Sequence, residues 1–177
     1  LTADPENKLH WRRTPARLEA EVIRDSILKM SGLLDERMFG AGTLDERMKR
    51  RSIYFMIKRS KLIPSMQLFD SPEPLVSQGS RPATIIAPQA LHFMNNGQVR
   101  ASAVELAKQL KAQPDTATAV ALGYQTVLGR DPTLREQKSI ASFIDVQEKS
   151  YPSTGRELAL ADFVQVLFGL NEFIYLE

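Results

Sequence analysis

Two carboxylates three positions apart, Asp70 and Glu73, sit among prolines in the stretch Phe69-Asp70-Ser71-Pro72-Glu73-Pro74. Glycosidases use paired acids of this kind, held at separations of about 5 to 9 Å. Arg59, Arg81, Gln89 and Asn95 are the other polar residues of this central part of the chain. Loops held on rigid elements are where sites tend to form. If the chain takes part in catalysis, these six residues form half of a hydrolytic or redox site that a companion domain completes. The competing reading makes Asp70 a turn or cap residue, paired with an arginine such as Arg59 or Arg81, because aspartate is a frequent turn former.

Other chemistries find less support. The two histidines, His10 and His92, lie far apart, and no His-x-x-His or His-Glu-x-x-His pattern occurs. A zinc site needs three or four ligands, so both read as structural. No Gly-x-Ser-x-Gly, Gly-x-Gly-x-x-Gly or Walker-type loop is present. Phe39-Gly40-Ala41-Gly42-Thr43 has two glycines but no strand-then-helix context. The absence of cysteine removes disulfides, thiolate zinc, iron–sulfur clusters and c-type haem attachment from this segment. From Arg47 to Lys61 there are seven bases and no acid: Arg47, Lys49, Arg50, Arg51, Lys58, Arg59 and Lys61. They could meet a polyanion, with Tyr54 or Phe55 stacking on bases. Against nucleic acid stand the net charge of only +2 and the apolar setting of those aromatics.

A chain of 177 residues with 43% hydrophobic and 25% charged content is one ordinary globular domain. No apolar run approaches the ~20 residues that span a bilayer, and no targeting signal is evident. Because the chain begins at Leu1 rather than Met, it reads as a piece of a longer protein.

The elements that must position these residues are mostly helices. Residues 1–13 form a leading segment, with Leu9 and Trp11 able to pack back on the core. Thr14-Pro15 starts a helix over 15–31 that stops at Gly32. Leu34-Asp35-Glu36-Arg37-Met38 recurs at 44–48, which predicts two short turns around a glycine loop. Ile53-Tyr54-Phe55-Met56-Ile57 suits a buried strand, and Ala83-Thr84-Ile85-Ile86-Ala87 is its natural partner. Helices are expected from Pro64 to about Phe69, from Pro88 to Asn95, over 98–111, 116–128, 134–149 and 156–169, with a final turn after Asn171. Gly123 inside one of them suggests a neighbouring backbone close by. The result is a mainly α domain: a helix and glycine loop (14–49), an irregular proline-rich centre (50–89), one small two-stranded element, and a helical C-terminal part (90–177).

Arg17-Leu18-Glu19-Ala20-Glu21 with Ile23-Arg24-Asp25, Arg51-Ser52-Ile53-Tyr54, Phe69-Asp70-x-Pro72-x-Pro74 and Ala87-Pro88-Gln89-Ala90-Leu91 with Asn95 resemble planctomycete-specific domain one, the domain-of-unknown-function family 1553. Leu128-Gly129-Arg130-x-Pro132-Thr133 and Asn171-Glu172-Phe173 also fit it. The resemblance implies the C-terminal part of an exported, periplasmic or cell-envelope multidomain protein. Its partner would be a companion domain of the same chain, or another protein. Any haem would belong to a domain upstream, with no cofactor in this segment. No catalytic residues carry over. The leading expectation is therefore a non-catalytic helical interaction or assembly module; half of an enzyme site and polyanion binding through 47–61 are the alternatives.

Overall fold

Side-chain oxygens set the starts of the long C-terminal helices. In the computed structural model, which describes residues 4–153 and 155–176, helix α4 (Gly97–Lys111) is capped by Asn96, whose side chain accepts from the N–H groups of Gln98 and Val99. Helix α5 (Thr116–Leu128) is capped by Asp115 and ends at Gly129, φ +70°. Helix α6 (Leu134–Ser150) opens with a Thr133–Glu136 capping box. Each device satisfies N–H groups that the first turn leaves without partners. Helix α7 (Gly155–Phe168) has no such polar face: Leu160, Phe163, Val164, Leu167 and Phe168 are all buried. It packs along α4 and α6 as the centre of the core.

The chain before these helices is more irregular. Helix α1 (Ala20–Met30) ends at Gly32, φ +73°. Short helix α2 (Pro64–Leu68), α3 (Ala87–Asn95) and terminal α8 (Asn171–Ile174) complete eight helices among the described residues. The mainly α class and the order of helices thus follow the sequence reading.

Two expectations are corrected. Helix α1 begins at Ala20 rather than 15, because Ala16–Arg17 (β1) pairs antiparallel with Tyr175–Leu176 (β2). The one small sheet among the described residues therefore joins the approach to α1 to the C-terminal residues Tyr175 and Leu176. The expected pairing of 53–57 with 83–87 does not form. The Asp25 carboxylate accepts from both the N–H and the hydroxyl of Ser52, and Ser52–Tyr54 winds into a 3-10 turn. Thr84 gives its N–H and hydroxyl to Asp70 instead. Ile53 and Ile57 are left 76% and 82% exposed.

The leading segment also differs. Leu9 is 80% exposed rather than docked. The segment closes on itself: the Asp4 carboxylate accepts from the N–H groups of Lys8 and Leu9, and the Trp11 indole donates to the Asp4 carbonyl. Residues 1–3 of that segment and Thr154 of the 150–155 loop lie outside the described residues. The two echoed motifs make the same turn: Asp35 accepts from the Arg37 N–H and Asp45 from the Arg47 N–H. Just after the second, Arg50 stacks on Tyr54 at 3.6 Å and donates to the carbonyls of Arg37, Phe39 and Ala41.

Gly123 faces a side chain, not a backbone. A Cβ there would lie 2.7 Å from Cε1 of the fully buried Phe163 ring. Alanine would gain about 1 kcal/mol of helix propensity but overpack a core that cannot yield, at about 1–3 kcal/mol. Gly123→Ala is therefore expected to lower the denaturant midpoint; a raised midpoint would show that the ring can move.

Arg130 ties three helices: it pairs with Glu136 of α6 and Glu172 of α8 and lies over the Tyr124 ring of α5. Bonds from the Arg130 side chain, then from Thr133, hold the Glu136 carboxyl at about 2 against an ordinary 4.5. A carboxyl depressed on folding stabilises above its unfolded value and loses that contribution as pH falls through its folded one. The stability gap between the wild type and Glu136→Gln should thus be full at pH 5 and close toward pH 2, read from thermal midpoints.

Candidate functional site

The six polar residues read from the sequence do not form one cluster. Asp70 adopts a left-handed backbone, φ +60°, which aspartate tolerates better than most residues. Its carboxylate turns inward and accepts from Arg17 at 2.5 Å and from the N–H and hydroxyl of Thr84. Arg17 is 5% exposed and Asp70 13%. The arginine partner of Asp70 is therefore Arg17, not Arg59 or Arg81. The Arg17 guanidinium also lies 5.6 Å from the centre of the Phe69 ring.

Arg81 is placed against α1. It bonds the Asp70 carbonyl through Nε at 3.1 Å, Glu19 at 3.1 Å and Glu21 at 2.7 Å. Gln89 is buried; its amide donates to the carbonyls of Leu68 and Thr84, and its oxygen accepts from the Ile86 N–H. Glu73 is exposed. Asn95 is exposed too, and the neighbouring Asn96 does the capping. Arg59 lies on an exposed turn closed by the Lys58–Lys61 bridge. Asp70, Arg81 and Gln89 come together through Thr84 and the 68–70 backbone; Arg59 and Asn95 do not join them.

The sequence reading missed the acids and bases of α1 as site formers. Besides Glu19 and Glu21, Arg24 donates to the carbonyls of Met48 and Arg50 and to the Ser52 hydroxyl, with its guanidinium over Phe55 at 4.7 Å. Burial lowers the Arg24 pKa, and Asp25 beside it opposes the shift. The signal was present: Glu21 and the Arg24-Asp25 pair stand among the apolar residues of α1. Nothing local says which distant backbone they meet.

Between α1, residues 51–57, α2 and the 70–82 loop runs an open groove of about 990 Å³. Val22, Met30, Phe55 and Met66 give it an apolar lining, and Asp70, Glu73 and Arg81 border it. Of the basic run, Arg50 is consumed internally, Arg47 pairs with Asp45, and Arg51 lies 4.0 Å from Asp25. Lys49, Lys58, Arg59 and Lys61 are exposed. His92 packs edge-on to Phe69 and Phe93, and burial lowers its pKa. Among the described residues, no three histidine or acidic groups gather as a metal site would need. Among the described residues no helix is long and apolar enough to cross a membrane.

Breaking one partner of a buried ion pair strands the other charge, at about 3–5 kcal/mol. Arg17→Met and Asp70→Asn should each destabilise the fold by about 3 kcal/mol, with the double variant well short of their sum. Denaturant unfolding measures all three; additive losses would show that the two residues act independently.

No curated protein and no solved structure matches the chain. A family model, PSD1, Protein of unknown function (DUF1553), matches residues 1–144. The match takes in α1, the central segment and the helices through most of α6; the Asn171-Glu172-Phe173 motif lies beyond it. The chain belongs to this family of unknown function.

Proposed function

We propose that the domain is a non-catalytic interaction and assembly module. One observation carries this reading: the best-placed acid and base of the centre are engaged inside the protein. A general base needs a lone pair within reach of substrate. The Asp70 carboxylate instead meets Arg17 and Thr84, and the Arg81 guanidinium meets two glutamates. The groove beside them is open and largely apolar-lined, which suits a docked chain. Its partner is a companion domain or another protein. In this reading the parent protein is exported, and any haem belongs to a domain upstream.

The second reading, half of a hydrolytic or redox site, draws on Glu73, which is exposed on the groove border. The third, polyanion binding, draws on Lys49, Lys58, Arg59 and Lys61, and it entails salt-sensitive retention on heparin. To separate the first two, the chain is assayed with carbohydrate, ester and peptide substrates. No turnover is expected. Turnover lost in Glu73→Ala with an unchanged thermal midpoint would overturn the interaction reading in favour of the enzymatic one.

A further inference from the structure

The groove beside α1 carries an unsatisfied backbone edge. The Tyr54 carbonyl and the Met56 N–H bond to Thr43, at 3.0 and 2.9 Å. Successive peptide groups of an extended chain point to opposite sides, so the Phe55 carbonyl and the Ile57 N–H face away from Thr43. Neither has a hydrogen-bond partner among the described residues. Phe55, Met56 and Ile57 line the groove. Ile53 and Ile57 are largely exposed and Met56 is half-exposed. Past the 3-10 turn that holds Ile53 and Tyr54, residues 55–57 therefore form an apolar, strand-prone stretch with no strand on that side. An edge of this kind is a template for another chain.

Charge identifies the occupant. Near the start of α1, Glu19 and Glu21 share the single guanidinium of Arg81. Glu73, on the same groove, has no ion-pair partner among the described residues. With Asp25 and Asp70, the groove lining thus holds five carboxylates against three bases, Lys29, Arg51 and Arg81, although the chain as a whole carries +2. We infer that the groove takes an extended segment of a partner protein that adds a strand along Phe55–Ile57. Its apolar side chains enter the groove and its lysines or arginines reach Glu19, Glu21 and Glu73. Backbone pairing supplies affinity in such complexes, and alternate side chains supply specificity. This inference rests on the interaction reading and names its partner class.

The test is isothermal titration of the 177-residue chain with a short peptide of alternating valine and lysine. Its controls are the valine–glutamate counterpart and two backbone N-methylated versions, one blocked at the valines and one at the lysines. Side chains on one face of a strand share the direction of their N–H groups, so only one methylated version should lose affinity, by about tenfold. The glutamate counterpart should not bind measurably. Ile57→Asp and Glu73→Lys should each weaken binding by about tenfold without moving the thermal midpoint. No binding, equal binding of the two methylated peptides, or equal binding of the acidic one would overturn the strand-addition proposal while leaving the interaction reading standing. Cleavage of the peptide would instead overturn the interaction reading beneath it.

Discussion

The Arg17–Asp70 pair is the constraint on which the arrangement of the first half rests. Arg17 is the last residue of β1, paired with Tyr175, and Asp70 stands where α2 gives way to the proline loop. One buried bond therefore joins the C-terminal edge strand, the approach to α1 and the centre of the chain. Taking two charges out of water is costly. The cost is offset on the carboxylate side, where one group accepts from a guanidinium, an amide and a hydroxyl, while Nε and Nη1 of Arg17 stay buried without partners. Because that carboxylate must point inward, the backbone at Asp70 takes a left-handed turn, and the loop after it follows.

The domain is held in two different ways. From α4 to α7 it is stabilised by burial: apolar faces interlock, Phe163 presses on Gly123, and capped helices keep their ends satisfied. From 34 to 86 regular structure is sparse, and the backbone pairs with itself at only a few places, such as Asp35 with Lys49 and Thr43 with Tyr54 and Met56. Charged side chains of α1 and Arg50 reach across and bond those carbonyls and amides directly. Buried backbone groups must find partners somewhere, and here long polar side chains provide them. That is why so many arginines and acids occur in a chain of modest net charge, and why most of them are structural.

The same economy leaves one region unfinished. Residues 55–57 leave the Phe55 carbonyl and the Ile57 N–H without partners among the described residues, and the groove they border is lined mostly by apolar groups, with more acids than bases. A domain that engages most charged groups of its centre internally, and still exposes isoleucines beside a free carbonyl and a free N–H, is built like one half of an interface. Family membership is consistent with that reading without specifying it, since the family itself has no stated function.

Much of the helical framework was legible in the residues. Asp115, Thr133 with Glu136, Gly129 and Gly32 each act over one turn, so a local reading places α5, α6 and the end of α1 almost to the residue. The apolar circumference of 156–169 marked α7 as central for the same reason: periodicity is a local property. What tertiary structure alone decided is which distant groups meet. Strand propensity at 53–57 was real, but Asp25 wound its first residues into a turn, and Asp70 took the amide that 84 would have offered. Arg17 rather than Arg59 or Arg81 became the partner of Asp70 because β1 is fixed by pairing with residues near the other end of the chain. Sequence sets the local preferences of each segment; the choice among long-range partners depends on loop closures and buried contacts that no short window contains.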